Sequence, residues 1–581
     1  MHSTSASYWA TFFLFSWSCF GQAVSAPSTA SQAVIPPPPA QSAETPVQIT
    51  ADLSKTVGPF KPIYSWFGYD EANYTTMRNG KVLLRELHDL SPVPVYIRAH
   101  HLLTSGNGKA ELKFSSTNVY REDSSGKPTY DFTILDGIFD EYKAAGVRPM
   151  VELGFMPKDL AAEVPGRTEY QVHYPKSTIS GASNNPPKDY SRWGELARVV
   201  TEHLVSRYGR GTVEQWYFEV WNEPDIDYWH ATAQDYWKLY DYAVAGVRSA
   251  LPTARVGGPA TTSPSNPHAY GYLQGFLNHV KNDKSSANNQ RIPLDFISFH
   301  AKGQPRILEG HVTMGIAHEL SDADRGFSLI AGFPEFRSLP IIISEADPEG
   351  CAACSSRVNP ANNYRNGTLY PAYTATAFKA LLDLNDERKV NLISMLSWSF
   401  EFEDKDYFEG FRSLATNGID KPVLNVFRMF GMMHGTRVDA TSTHSVPLSE
   451  LVKTGVRQGA DVDALASKGE TDAAVLLWNY HDADEPAAAS AVTVEVNSLP
   501  PGAARVLVQH FRIDETHSNA YTVWKQMGSP QQPTTEQYRQ LKGAAGLQLL
   551  ESPRWEDVHD GKVVINTDMP RQSISLLTLS W

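Results

Sequence analysis

Between residues 63 and 400 a short apolar, β-branched run, a turn and a helix-length amphipathic stretch follow one another again and again. The candidate strands are Ile63–Gly68, Val93–Ala99, Arg148–Gly154, Trp216–Trp221, Ala254–Pro259, Leu294–His300, Pro340–Glu345 and Asn391–Phe400. Helical patterns lie between them at Leu135–Ala145, Ser191–Tyr208, Ala233–Ala250, Gly271–Val280 and Tyr370–Asn385. Eight strands, most followed by helix-length sequence, predict an α/β fold, a parallel (β/α)₈ TIM barrel spanning 47–437. Strands buried on both faces should be apolar without alternation, and the runs LPIIIS (339–344) and LDFISF (294–299) nearly are.

Past residue 437 the pattern changes. Alternating runs at Ala473–Tyr480, Val492–Val496, Ala504–Phe511 and Ser573–Leu579 are separated by Pro/Gly turns. They predict a C-terminal all-β sandwich domain over 438–581. A chain of 581 residues is too long for one core and suits a large barrel with a smaller companion.

The N-terminus reads as an export signal over 1–26. An apolar stretch from Tyr8 to Phe20, too short to span a bilayer, precedes small residues ending at Ala26, with cleavage after Ala23 as the alternative site. A retained membrane anchor is the competing reading. Residues 27–46 form a Pro/Ala/Ser-rich linker. Export to the periplasm or the extracellular space is expected, with no membrane contact after cleavage. Of three cysteines, Cys19 leaves with the signal, and Cys351 and Cys354 are expected as a local disulfide, since a lone CxxC lacks the second pair a structural zinc needs. The net charge of −13, without a Lys/Arg stripe, argues against nucleic acid as a partner. The expected partner is an oligosaccharide or glycoside, and a homo-oligomer is left open.

In a (β/α)₈ barrel the C-terminal strand ends carry the active site. Strand four runs into Trp221-Asn222-Glu223-Pro224, and strand seven, apolar from Leu339, ends at Glu345. Two carboxyl groups facing one pocket are what glycoside hydrolysis needs: one protonated to give its proton to the leaving oxygen, one ionised to attack the anomeric carbon. Glu223 is the candidate acid/base and Glu345 the candidate nucleophile. Asn222 would hydrogen-bond the sugar 2-hydroxyl. A lone strand-end Glu is as often one half of a structural ion pair; the pairing of Asn-Glu-Pro with a second strand-end Glu argues against that here.

The stretch WYFEVWNEPD (216–225) resembles the signature of glycoside hydrolase family 39, which contains β-xylosidases and α-L-iduronidases. Further matching segments are Gly68–Tyr74, Glu152–Pro157, Asp295–His300, Phe411–Leu414 with Lys421-Pro422, and, in the second domain, His510–Tyr521. The resemblance covers about 50–581. It implies the acid/base on strand four, the nucleophile on strand seven, retention of anomeric configuration, and neither cofactor nor metal. His300-Ala-Lys302-Gly and Glu345-Ala-Asp-Pro are similar to the iduronidase branch, in which a Lys and an Arg, here Lys302 and Arg412, accompany the uronate carboxylate. Lys302 could equally pair with Glu349, Glu401 or Asp404. The segments FMPKDL and SWSFEFEDKDYFEGF resemble the xylosidase type, whose acidic-aromatic loop, with Glu401, Glu403 and Asp404, suits neutral hydroxyls. The favoured expectation is a retaining exo-acting β-xylosidase on xylo-oligosaccharides. The alternatives are an α-L-iduronidase-like or α-L-arabinosidase activity and, outside enzymes, a catalytically silent sugar-binding barrel.

Further candidates weigh less. His100 and His300 close strands two and six and are expected near the substrate and the nucleophile. Trp398 suits a sugar-stacking wall, although aromatics at barrel ends often only pack. Arg98 is expected to hold a catalytic carboxylate ionised. His101 and Asp225 read as structural.

Overall fold

The computed structural model describes residues 46–170, 181–308 and 311–581. The expected signal and nearly all of the expected linker lie outside the described residues. Eight parallel strands form the barrel: β1 (Trp66–Tyr69), β2 (Tyr96–Ala99), β3 (Arg148–Leu153), β4 (Tyr217–Val220), β5 (Arg255–Thr261), β6 (Phe296–Lys302), β7 (Pro340–Asp347) and β8 (Asn391–Met395). Each pairs with the next in order. The ring closes where Gly68 N donates to Ser397 O at 2.9 Å and Ser397 N to Trp66 O at 3.0 Å.

Inward-pointing side chains fill the barrel as a layered core. Trp66 stacks on Tyr96 at 4.1 Å between ring centroids, and Tyr217, Phe296, Ile342, Leu396 and Trp398 complete the plug. Gly68 sits against this plug: a Cβ there would lie 2.4 Å from the Trp398 ring, so only glycine lets β1 approach.

The anticipated helices form, within a few residues, at Thr133–Ala145, Tyr190–Tyr208, Ala233–Ala250, Pro267–Asn282 and Leu369–Arg388. Three further barrel helices of ten or more residues, Arg78–His88, Ile316–Ala331 and Pro422–Gly431, were not anticipated from the sequence. The middle one buries Glu319, Asp322 and Gly326 along with its hydrophobic residues, so polar letters occupy inward positions and break the pattern.

A separate sheet of ten strands makes up the second region, and it corrects two expectations. Val47–Pro59 does not open the barrel. It pairs antiparallel with Thr436–Ser442 and parallel with Ser490–Asn497. The alternation of Val47, Ile49, Ala51 and Leu53 puts one apolar face into the core of that sheet, so the barrel's share begins after this strand, and the expected boundary at 437 falls inside Thr436–Ser442. Nor is the region wholly β: helices Ala520–Gln526 and Thr535–Ala545 pack with Phe408 and Ile419. Asp472–Tyr480 does not alternate as expected, because it is buried on both faces. Ala473, Val475 and Leu477 face the sandwich core, while Ala474, Leu476, Trp478 and Tyr480 join the core built on the barrel helices.

Candidate active site

Beyond Val220 the backbone turns sharply. Trp221 and Glu223 both take left-handed φ values, 70° and 43°, which cost energy for non-glycine residues and recur where a functional side chain is re-aimed. The turn is held by the Trp221 indole N–H donating to Tyr228 O at 2.8 Å and by Glu223 N donating to Ala260 O at 2.9 Å. Asn222 and Glu223 are thereby delivered to the barrel mouth.

Glu345, near the C-terminal end of strand β7, completes the pair. One carboxylate oxygen of Glu223, one of Glu345 and a ring nitrogen of His300 lie within 4.8 Å of one another. Retaining glycosidases hold their two carboxyl groups about 5–5.5 Å apart and inverting enzymes about 6.5–9.5 Å. A gap of no more than 4.8 Å between the facing oxygens is compatible with the first class.

The surroundings of the two carboxylates differ. Glu345 is nearly fully buried and receives Lys302 Nζ on Oε2 at 2.7 Å and Arg98 Nη1 on Oε1 at 3.3 Å. His100 and His300 approach Oε1 at 3.6 and 3.8 Å. Burial alone would disfavour its charge, but His300, Lys302, Arg98 and His100 together outweigh it and hold the carboxyl well below the usual range. Glu223 is more open, and its one ion-pair partner among the described residues is His300, whose Nδ1 lies 2.8 Å from Oε1. The three atoms also have the spacing of a metal site, but both oxygens of Glu345 already carry a cationic partner.

Arg98 organises the floor. Its Nε meets Glu219 at 2.5 Å, Nη2 meets Asn222 Oδ1 and Glu152 at 2.9 Å each, and Nη1 meets His100 Nε2 at 3.1 Å as well as Glu345. Five donors in a rigid fork suit such a hub. Glu152 and Glu219 are register partners on β3 and β4, both fully buried. Burial, with Glu219 and Glu345 adding to it, pushes Glu152 up to about 7 against the pull of His100 and Arg98. His100 is gripped by Asp70 at 2.7 Å, and its pKa is raised because Glu152 and Asp70 overcome the effect of burial.

Seven predicted residues therefore converge: Glu223, Glu345, Asn222, His100, His300, Lys302 and Arg98. Three take other places. Trp398 is no open stacking wall. Its ring is 2% exposed and packs 4.2 Å from the His100 ring and 5.0 Å from the Arg98 guanidinium, beneath the site. Arg412 lies one layer behind, donating to Glu349 Oε1 at 2.6 Å and Trp398 O at 3.0 Å, with Asp347 at 3.5 Å. Glu401 is outside the cluster, because the chain leaves the barrel after β8 and the carboxylate accepts Gly418 N at 2.6 Å. Lys302 pairs with Glu345 and with Asp347 at 3.0 Å rather than with Glu349, Glu401 or Asp404.

The sequence reading overlooked Asp70, Glu152, Glu219, Asp347 and Tyr228. A usable signal existed for Glu152 and Glu219: each charge interrupts an otherwise apolar barrel strand, and a buried charge must find a partner. Tyr228 stacks on Phe155 at 5.4 Å, and burial together with Asp70, Glu223, Glu345 and Glu152 pushes its hydroxyl well above the usual range, keeping it a donor.

A (β/α)₈ barrel with two carboxylates at this spacing on the ends of β4 and β7 defines a glycoside hydrolase, and the comparisons agree. The family model described as glycosyl hydrolases family 39 matches residues 95–555, and the chain belongs to that family. A β-xylosidase of Geobacillus stearothermophilus is 28% identical over 504 residues, covering 83% of this chain and 86% of that one. The α-L-iduronidase of Mus musculus is 25% identical over 417 residues, 66% of this chain and 61% of its own. Among solved structures, a monomeric β-xylosidase from Caulobacter crescentus CB15 superposes with a TM-score of 0.71 at 21% identity, covering 92% of this chain and 99% of that chain.

Proposed function

We propose that the chain is a retaining, exo-acting β-xylosidase that releases xylose from xylo-oligosaccharides by double displacement. The observation that carries the mechanism is the short separation of Glu223 and Glu345 combined with their unequal surroundings. Glu345, flanked by cations, is the ionised nucleophile. Glu223 gives its proton to the glycosidic oxygen as the C1–O bond breaks and the Glu345 oxygen bonds to C1. Esterification removes the negative charge beside Glu223, which then takes the proton of an incoming water that attacks C1 and frees Glu345. Asn222, its Oδ1 occupied by Arg98, has its amide N–H left to donate to the sugar 2-hydroxyl.

What supports a neutral pentose is the state of the two cations that a uronate reading would use. Lys302 is matched by Glu345 and Asp347, and Arg412 by Glu349 and Asp347. The position of Lys302 against Glu345 is also what favours the second reading, an α-L-iduronidase-like activity. A panel of nitrophenyl β-xyloside, α-arabinoside, β-glucoside and α-iduronide separates them. Turnover of the xyloside is expected; turnover of the iduronide alone would reverse the substrate assignment, and binding without hydrolysis across the panel would favour a silent sugar-binding barrel. The formed Cys351–Cys354 disulfide supports an exported protein.

A further inference from the structure

The left-handed φ of 43° at Glu223 is costly for a residue with a side chain and persists only where its neighbours impose it. Contacts to the end of β5 do so. Glu223 N donates to Ala260 O at 2.9 Å. Two residues on, the buried Asp225 turns both carboxylate oxygens to one partner: Oδ1 accepts Thr262 N at 2.9 Å, and Oδ2 accepts the Thr262 hydroxyl. Its main-chain carbonyl shares a further hydrogen bond of 2.8 Å with His268 Nε2. Two bonds from a single residue fix the direction of the carboxylate as well as its distance. Asp225 is therefore a clamp between the β4 loop and the β5 loop.

The loop that carries Thr262 is anchored in turn. Ser265 N donates to Asp322 Oδ1 at 3.1 Å, and Asp322 Oδ2 accepts Lys302 N at 3.1 Å. Asp322 is fully buried on the helix Ile316–Ala331, and the ammonium of the same lysine holds Glu345. Through Asp225 and Asp322 the arm bearing one catalytic carboxyl is tied to the strand whose lysine holds the other. A general acid works only within hydrogen-bond reach of the oxygen it protonates. A shift of about 1 Å in such a group can cost about 10²-fold in rate. Slackening this arm should therefore impair proton donation while leaving the attack by Glu345 in place.

We infer that Asp225 is a positioning residue for the acid/base: by clamping the β4 loop to Thr262 it aims the Glu223 carboxyl at the glycosidic oxygen. The inference rests on the reading of Glu223 as proton donor, not on which sugar is cleaved. Asp225→Ala, Asp225→Asn and Thr262→Val are compared with the parent and with Glu223→Ala on two glycosides of the sugar that turns over best. One carries a dinitrophenyl leaving group, which departs without a proton, and the other a plain phenyl group, which needs one. The phenyl-to-dinitrophenyl ratio of kcat/KM should fall at least about tenfold in Asp225→Ala and in Glu223→Ala. It should fall less in Thr262→Val, which keeps the backbone N–H, and stay within about twofold of the parent in Asp225→Asn, whose amide oxygen can still accept it. A residue that merely held the fold would lower both rates together, so an unmoved ratio in Asp225→Ala overturns the inference. Should Asp225→Ala be inactive on both glycosides, Thr262→Val decides in the same way. A ratio that falls as far in Asp225→Asn as in Asp225→Ala overturns it too, because the charge and not the clamp would then be at work. A ratio that falls in Glu223→Ala and in none of the clamp variants defeats this inference alone; one unmoved in Glu223→Ala defeats the reading of Glu223 along with it.

Discussion

The ammonium of Lys302 lies 2.7 Å from Oε2 of Glu345 and 3.0 Å from Asp347, so the candidate nucleophile shares its cation with a second buried carboxylate. That cation is one of four groups holding Glu345 well below the ordinary carboxylate range against the effect of burial. Lys302→Met removes it while keeping the length of the side chain. The Glu345 carboxyl then holds its proton to higher pH, and the acid limb of the kcat/KM profile moves upward. Lys302→Arg, which restores a cation, should return the limb part of the way. An unmoved acid limb in Lys302→Met would mean that the lysine does not tune the nucleophile.

Glu223→Ala removes the proton donor and should lower kcat/KM by about 10²–10⁴-fold on substrates with poor leaving groups. Nitrophenyl glycosides, whose leaving group needs little protonation, should suffer less in the first step. Azide can enter the space left by the side chain and attack the glycosyl intermediate, so it should restore part of the turnover and yield a glycosyl azide. Full activity without azide would remove Glu223 from the role.

Arg98 compensates two fully buried carboxylates, Glu152 and Glu219, as well as touching Glu345. Breaking a buried charge pair from one side costs about 3–5 kcal/mol, because the remaining charge stays buried. Arg98→Leu should therefore lower the free energy of unfolding by that order in urea denaturation. The loss should be larger than for Lys302→Met, whose two partners keep other cations nearby. A neutral result at Arg98 would contradict the hub described above.

Glu401 offers a test of pH-dependent stability away from the chemistry. Burial, with a smaller push from Asp420, Glu86 and Glu403, raises its carboxyl to about 8. The folded state keeps that proton to a higher pH than the unfolded chain, whose carboxyl titrates near 4.5. The contribution to stability is thus complete below about pH 4.5 and is lost as pH rises toward 8. Glu401→Gln keeps an oxygen for Gly418 N and removes the titration, so its Tm should fall less than that of the parent between pH 5 and pH 8. Identical slopes would show that Glu401 ionises without cost.

Much of this was legible in the sequence, for identifiable reasons. β6 and β7 are buried on both faces and so announce themselves as unbroken apolar runs, and strand-end carboxylates stand out against them. What escaped was set by tertiary context. Val47–Pro59 was not anticipated as a strand, and nothing local says that it crosses to a sheet completed by residues near 440 and 490. Glu401 looked like a site residue because its acidic-aromatic loop resembles the xylosidase type, but the chain has already turned outward to the loop at Gly418. Trp398 and Arg412 do lie close to the site, but their depth was not legible, since depth depends on Gly68 leaving room for the indole and on Glu349 drawing the guanidinium away.

The most direct test of the double-displacement claim is to trap its intermediate. The activated 2-deoxy-2-fluoro analogue of the glycoside that turns over best is incubated with the protein, which is then digested and mapped by mass spectrometry. Double displacement through Glu345 predicts one glycosyl adduct, on the peptide that carries Glu345 and at that side chain. An adduct on Glu223, on any other residue, or no adduct despite time-dependent loss of activity would contradict it.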